Sequence, residues 1–394
     1  MRTPWRLLFV AAGLALLFAG LWLLLAPVGA PRPLNAALSG AIAYLILRMT
    51  LDGLPSGEFL PLAALSAFLF LASPLVYVNV AWGAAPSGLI NALAATLFCG
   101  AWRSIEHWSV LMRSVILAVL YGATLWFGGA PALWIPAALL VWILIARRPA
   151  AAVASVATIL GLGAALYAGA WGLAHWAAPV HSTGRFTQAL EEGWLSWSAQ
   201  WPGSGPFAGP LGARSPYRQA AFGLWIFSVP MALLFLTLSA LQFWPALRRR
   251  RADAAAFEAI LAWTALGGWG LNALLGGPFR GGDLLACLAL TAPLIFRAVE
   301  PRDFLMSRSV RWILAESLAL GWAFSWIPRR LEPAGWQGPL AGIAAGLLAI
   351  LCALAVSWRL PVIKRMESRL RWIAVLIGSY GGVCLSWYCA FLKF

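Results

Sequence analysis

Residues 151–174 read AAVASVATILGLGAALYAGAWGLA, 24 positions without one charged side chain. At 1.5 Å rise per residue such a run makes a helix of about 36 Å, enough to cross the roughly 30 Å of hydrocarbon in a bilayer. The run has no charged face to turn toward water, and it lacks the alternation of a lipid-facing barrel strand. A helix of this kind is surrounded by lipid or by other apolar helices.

On both sides of this stretch, apolar runs of similar length recur between short polar breaks. They predict spans near 7–26, 34–48, 59–80, 86–101, 110–127, 131–146, 151–174, 221–245, 256–275, 283–298, 312–327, 337–357 and 372–391. The expected fold is therefore an all-α polytopic integral membrane protein of about 13 transmembrane helices, forming a single transmembrane domain over 1–394. Composition agrees: charged residues make up 10% of the chain and hydrophobic ones 62%, with a mean hydropathy of +0.82. A water-soluble chain carries about 25% charged residues.

The net charge of +15 would point to nucleic acid in a soluble protein. In a polytopic chain, basic residues instead collect in cytoplasmic loops and set the topology. With the N-terminus cytoplasmic, the inner loops receive Arg48, Arg103, Arg147, Arg148, the run Arg248 to Arg251, and the segments 297–311 and 359–371. About 20 of the 28 basic residues then lie inside, which places the C-terminus outside. Nucleic acid is excluded as a partner. Arg2 and Arg6 precede a first run long enough to remain as an anchor, so no cleavable signal is expected. The abundance of Ala, Trp and Arg points to a bacterial chain and an inner-membrane location.

The outer face is poor in charge, and its acids are Glu191, Glu192, Asp283 and Glu332. Its one long loop, 175–220, contains WLSWSAQWPGSGPFAGPLGARSPYR. Tryptophan prefers the headgroup level and Pro/Gly pairs break helices, so a short amphipathic helix over 186–197 is expected along the membrane surface.

Soluble-enzyme templates fail. There is no GxxxxGK[ST] loop and no HExxH, and three histidines cannot furnish a rich metal site, so neither a metal nor another cofactor is expected. Cys99, Cys287, Cys352, Cys384 and Cys389 all lie in apolar runs and read as small core residues. Glu106 and His107 read as a solvated inner turn beside Arg103. Glu316, in RWILAESLALGW, stands about five residues inside a span. An intramembrane acid is a functional candidate, but this one is near enough to the inner end to snorkel or to pair with Arg308 or Arg311. Arg113 has the same ambiguity. The pairs Gly267/Gly268 and Gly381/Gly382 read as close helix contacts.

The segment GGPFRGGDLLACLALTAP at 276–293 places Arg280 and Asp283 at an outer mouth where a helix begins. A guanidinium beside free helix N–H groups suits a phosphate anion, and Asp283 serves equally well in a pair with Arg280 that caps the helix. Arg185, Arg214 and Arg218 add positive charge on the same face. A lipid phosphate or pyrophosphate is the ligand these residues would take.

The layout resembles the GT-C superfamily of membrane glycosyltransferases, which includes protein O-mannosyltransferases and the aminoarabinose transferases of lipid A. The resemblance rests on the span count, the cytoplasmic N-terminus and the enlarged outer loop between the seventh and eighth spans. Two segments carry its local texture: ALSAFLFLASPLVYVNVAWGAAPSGLINALAATLFCGAWR at 64–103, similar to that family's third and fourth spans, and the Arg280 segment. It covers about residues 34–300 and implies a polyprenyl-phosphate sugar as donor, with Arg280, Arg185, Arg214 and Arg218 near the lipid phosphate. One feature departs from the pattern. The family carries an acidic catalytic residue in its first outer loop, as general base toward the acceptor hydroxyl. Here that loop is APVGAPRP at 26–33 and holds no acid. Catalysis would need Glu191, Glu192 or Asp283 as a substitute, and a relative that kept the scaffold without the chemistry is equally compatible. The alternative from another class is a non-catalytic structural or accessory subunit of a larger membrane protein complex, docking other subunits through aromatic anchors. A transporter is disfavoured, because few polar groups fall in mid-span.

Overall fold

The computed structural model describes residues 33–52, 60–74, 76–77, 87–105, 108–127, 131–146, 148–177, 254–274, 281–295, 307–327, 337–359 and 368–391. The described residues form eleven helices and no strand, as an all-α fold requires. In chain order they are α1 (Pro33–Asp52), α2 (Leu60–Leu71), α3 (Ser87–Ser104), α4 (Val110–Phe127), α5 (Pro131–Ile145), α6 (Pro149–Ala177), α7 (Ala254–Leu274), α8 (Gly281–Ile295), α9 (Arg308–Phe324), α10 (Gln337–Arg359) and α11 (Ser368–Phe391). The runs expected at 7–26 and 221–245, and the surface helix over 186–197, lie outside the described residues.

Local chemistry sets the boundaries. Pro33, Pro131 and Pro149 each open a helix, where the missing N–H costs nothing and the fixed φ suits the first turn. Ser109 and Ser307 cap α4 and α9 by accepting from the Met112 and Val310 amides, each at 3.4 Å. The run expected at 59–80 is not one helix. α2 stops at Leu71 because Pro74 disfavours helical backbone at Ser73, and the Ser73 amide falls back on the Phe70 carbonyl at 3.1 Å. α9 starts four residues before its expected boundary at 312, since the Ser307 cap lies upstream of Arg308 and Arg311.

α8 is the centre of the packing. Every residue from Leu285 to Leu294 is buried, and α1, α2, α3 and α7 pack around it. α4 and α6 cross where Gly122 and Gly163 meet; a Cβ on Gly163 would lie 2.9 Å from the Ala118 carbonyl oxygen. The same two helices share a Ser114–Ser155 hydroxyl bond of 2.7 Å, and Thr50 and Ser66 join α1 to α2 at 2.9 Å. Hydroxyl bonds and glycine crossings of this kind hold helices together where water supplies no hydrophobic drive between them. α11 returns to the start of the chain, its Tyr380 and Tyr388 hydroxyls donating to the Leu69 and Ala72 carbonyls at 3.4 and 3.1 Å.

Among the described residues two helical stretches, Pro149–Leu173 and Leu370–Cys389, are both long and apolar enough to cross a membrane. The second is mostly buried, as a core helix also would be, but the first is mostly exposed. Leu173 is 69% exposed and Leu166 and Trp171 are open as well. An apolar helix left uncovered by its own protein has a face suited to lipid.

Candidate functional site

The residues expected at the outer face fall differently from the core. Arg185, Glu191, Glu192, Arg214, Arg218 and Arg280 lie outside the described residues, as do Glu106 and His107. Asp283 belongs to the first turn of α8, two residues before the point where that helix becomes wholly buried. Arg280 directly precedes Gly281, the first residue of α8, in the chain. A helix N-terminus carries unsatisfied N–H groups and about half a positive charge, and it therefore favours an anion. The sequence thus brings an arginine and two glycines to the start of the most enclosed helix in the bundle.

A second constellation, which sequence reasoning missed, joins the end of α3 to the start of α7. Glu258 is 1% exposed and lies 3.5 Å from the Arg103 guanidinium. Beside this pair the Phe257 ring stacks on Trp102 with centroids 3.9 Å apart and 13° between planes. The Arg113 guanidinium sits 4.2 Å from the same Trp102 centroid. Two groups that close cannot share one face of an indole, so Trp102 is sandwiched, Phe257 on one side and the cation on the other. Its edge is left to the Trp142 ring, at 5.0 Å and 83°. Arg113, ambiguous from sequence, is thus held by a cation–π contact, which contributes about 0.5–2 kcal/mol depending on desolvation. A sequence signal existed, in that Glu258 opens an otherwise apolar stretch four residues into α7. Its partner, 155 positions earlier, could not be read from one sequence.

Glu316 is a further charged group within the bundle. Both of its carboxylate oxygens are buried and lack a hydrogen-bond partner among the described residues, so the expected pairing with Arg308 or Arg311 is not made. Arg308 and Arg311 are exposed. Cys99, Cys287 and Cys384 are buried and form no disulfide, and the described residues contain no cluster of metal-ligating side chains. Within each glycine pair one member makes a close contact. A Cβ on Gly268 would meet the Trp134 indole nitrogen at 2.6 Å, and one on Gly382 would run into the Leu318 carbonyl. Gly267 has open space around it, and Gly381 meets Leu318 only at ordinary distance.

No protein-family model matches the chain, and comparison with curated proteins and with solved structures yields no match.

Proposed function

We propose that the chain is a multi-pass bacterial inner-membrane protein of GT-C-like layout that binds a polyprenyl-phosphate-linked sugar at its outer face. The observation that carries this reading is the enclosure of α8 by α1, α2, α3 and α7, with Gly281 to Asp283 forming its first turn. A lipid phosphate reaching that turn would find helix N–H groups and Arg280, and Arg185, Arg214 and Arg218 would line its approach. The exposed apolar length of α6 supports the membrane setting. The Arg103–Glu258 pair supports the alternating path: α3 descends to the inner face and α7 rises from it, so their facing ends must meet there. Sugar transfer in this reading uses Asp283, Glu191 or Glu192 as the base that the first outer loop does not provide.

A second reading, an accessory subunit, is favoured by the outer side of α9. Ala315, Ala319 and Ala323 form an exposed small-residue stripe with Trp312 and Trp322 beside it, at 57% and 39% exposure. Small residues let a second helix approach closely, and tryptophan anchors interfaces.

Gentle extraction followed by mass analysis of the intact particle separates the two. Retention of a polyprenyl-phosphate species, lost in Arg280→Ala, is the outcome expected of the first. A particle found only in fixed stoichiometry with other membrane proteins, carrying ordinary phospholipids, sinks it in favour of the second.

A further inference from the structure

Glu316 sits on a helix with little freedom. α9 turns Val310, Ile313, Ser317 and Gly321 inward, locks against α11 through Gly378 and Gly382, and packs on its other flank against α10. Glu316 follows Arg308, the first helical residue, by eight positions, which is about 12 Å along the axis at 1.5 Å per residue. The residue as a whole keeps some exposure, yet both carboxylate oxygens are shielded. The stem therefore faces outward and the head inward, the reverse of snorkelling. An acid merely tolerated in an apolar helix would turn its head toward the water at the nearby helix end.

Among the described residues no cation pairs with it. Arg308 and Arg311 of the same helix are exposed, Arg359 of α10 is exposed, and the Arg371 guanidinium of α11 lies over the Trp358 ring at 5.6 Å. The neighbouring Ser317 hydroxyl is committed to the Ile313 carbonyl. A carboxylate enclosed without a cation or donor is strongly disfavoured, whereas a neutral carboxylic acid there forgoes only about one hydrogen bond. Acids enclosed at membrane depth mark proton and ion pathways.

We propose that Glu316 is a proton-binding site of the bundle, occupied as the neutral carboxylic acid and exchanging its proton with the aqueous phase at the start of α9. The site is independent of the sugar-transfer reading, because a chain that retains no polyprenyl phosphate can still hold this proton.

The full chain in lipid vesicles is measured by infrared difference spectroscopy against Glu316→Gln. The neutral-carboxyl carbonyl band is expected in the wild type and absent from the variant, and it shifts on transfer to D2O. No band lost in the variant overturns the assignment, and a band that stays fixed after prolonged D2O exposure overturns the exchange. Should Glu316→Gln fail to fold, peptide mapping of the wild type decides: labelling of Glu316 by a hydrophobic carbodiimide but not by a water-soluble one supports the site. Absence of label, or label from the soluble reagent, removes it.

Discussion

Glu258 and Arg103 show how much depends on single side chains inside an apolar bundle. The pair lies next in sequence to the stacked Trp102 and Phe257 rings, with Glu258 1% exposed, so removing Arg103 leaves a buried carboxylate in surroundings that solvate it poorly. Glu258→Ala is expected to cost about 3–5 kcal/mol, the magnitude measured when one partner of a buried pair is lost. Replacing both residues with methionine should recover most of that loss, because an apolar filling of similar volume needs no compensation. Thermal unfolding of the two singles and the double in detergent checks the cycle. Additive losses in the double variant would show that the two charges act separately. Trp102→Leu should be destabilising for a different reason, through loss of the stack on Phe257 and of the cation–π contact with Arg113.

Among the elements, α5 carries Pro136 in its interior, which removes the amide that would have bonded to the Ala132 carbonyl. The Tyr121 hydroxyl of α4 donates to that same Ala132 carbonyl at 3.3 Å, so a neighbouring helix satisfies what the proline leaves open. Tyr121→Phe should therefore cost about 1 kcal/mol in the parent chain, the net worth of one hydrogen bond. It should cost less in a Pro136→Ala background, where the amide returns. Equal losses in the two backgrounds, read from thermal midpoints, would refute the link. The contact of α9 with α11 is set by size instead. A Cβ on Gly378 or Gly382 would strike the Ser317 hydroxyl or the Leu318 carbonyl, so Gly382→Ala must push the helices apart and lower the midpoint, while Gly381→Ala should be nearly silent. That contrast also shows what the sequence could tell. The helices at 110–127 and 131–145 follow from apolar run length and from Pro131, and Gly-Gly marked a close crossing. Which glycine of each pair faces the partner depends on helix rotation, which run length does not encode. The break at Ser73 was hidden because Pro74 lies in a run apolar enough to read as one span. The Arg103–Glu258 pair was hidden by sequence distance, and the inward turn of Glu316 by the nearby arginines that looked like its partners.

For the whole molecule, the thirteen-span path makes a claim that no single contact can establish, because each inner loop must lie on the opposite side from the 175–220 loop. The helices fix part of this. α3 and α7 meet at Arg103 and Glu258, so those two ends share a face, and Ser109 and Arg148, which border the starts of α4 and α6, should share it too if the chain alternates. Positive charge in these inner loops would be held on the cytoplasmic side during insertion. Single cysteines at Ser109 and Arg148, and a third at Ser196 in the long loop, test the path in a background where the five native cysteines are replaced. A membrane-impermeant maleimide added to intact cells should label only the Ser196 position, and the other two should react after the inner face is opened. Labelling of Ser109 or Arg148 in intact cells would invert the topology. The mouth at Arg280 and Asp283 would then face the cytoplasm, and an outer-face polyprenyl-phosphate donor could no longer reach it, whatever lipid the protein retained.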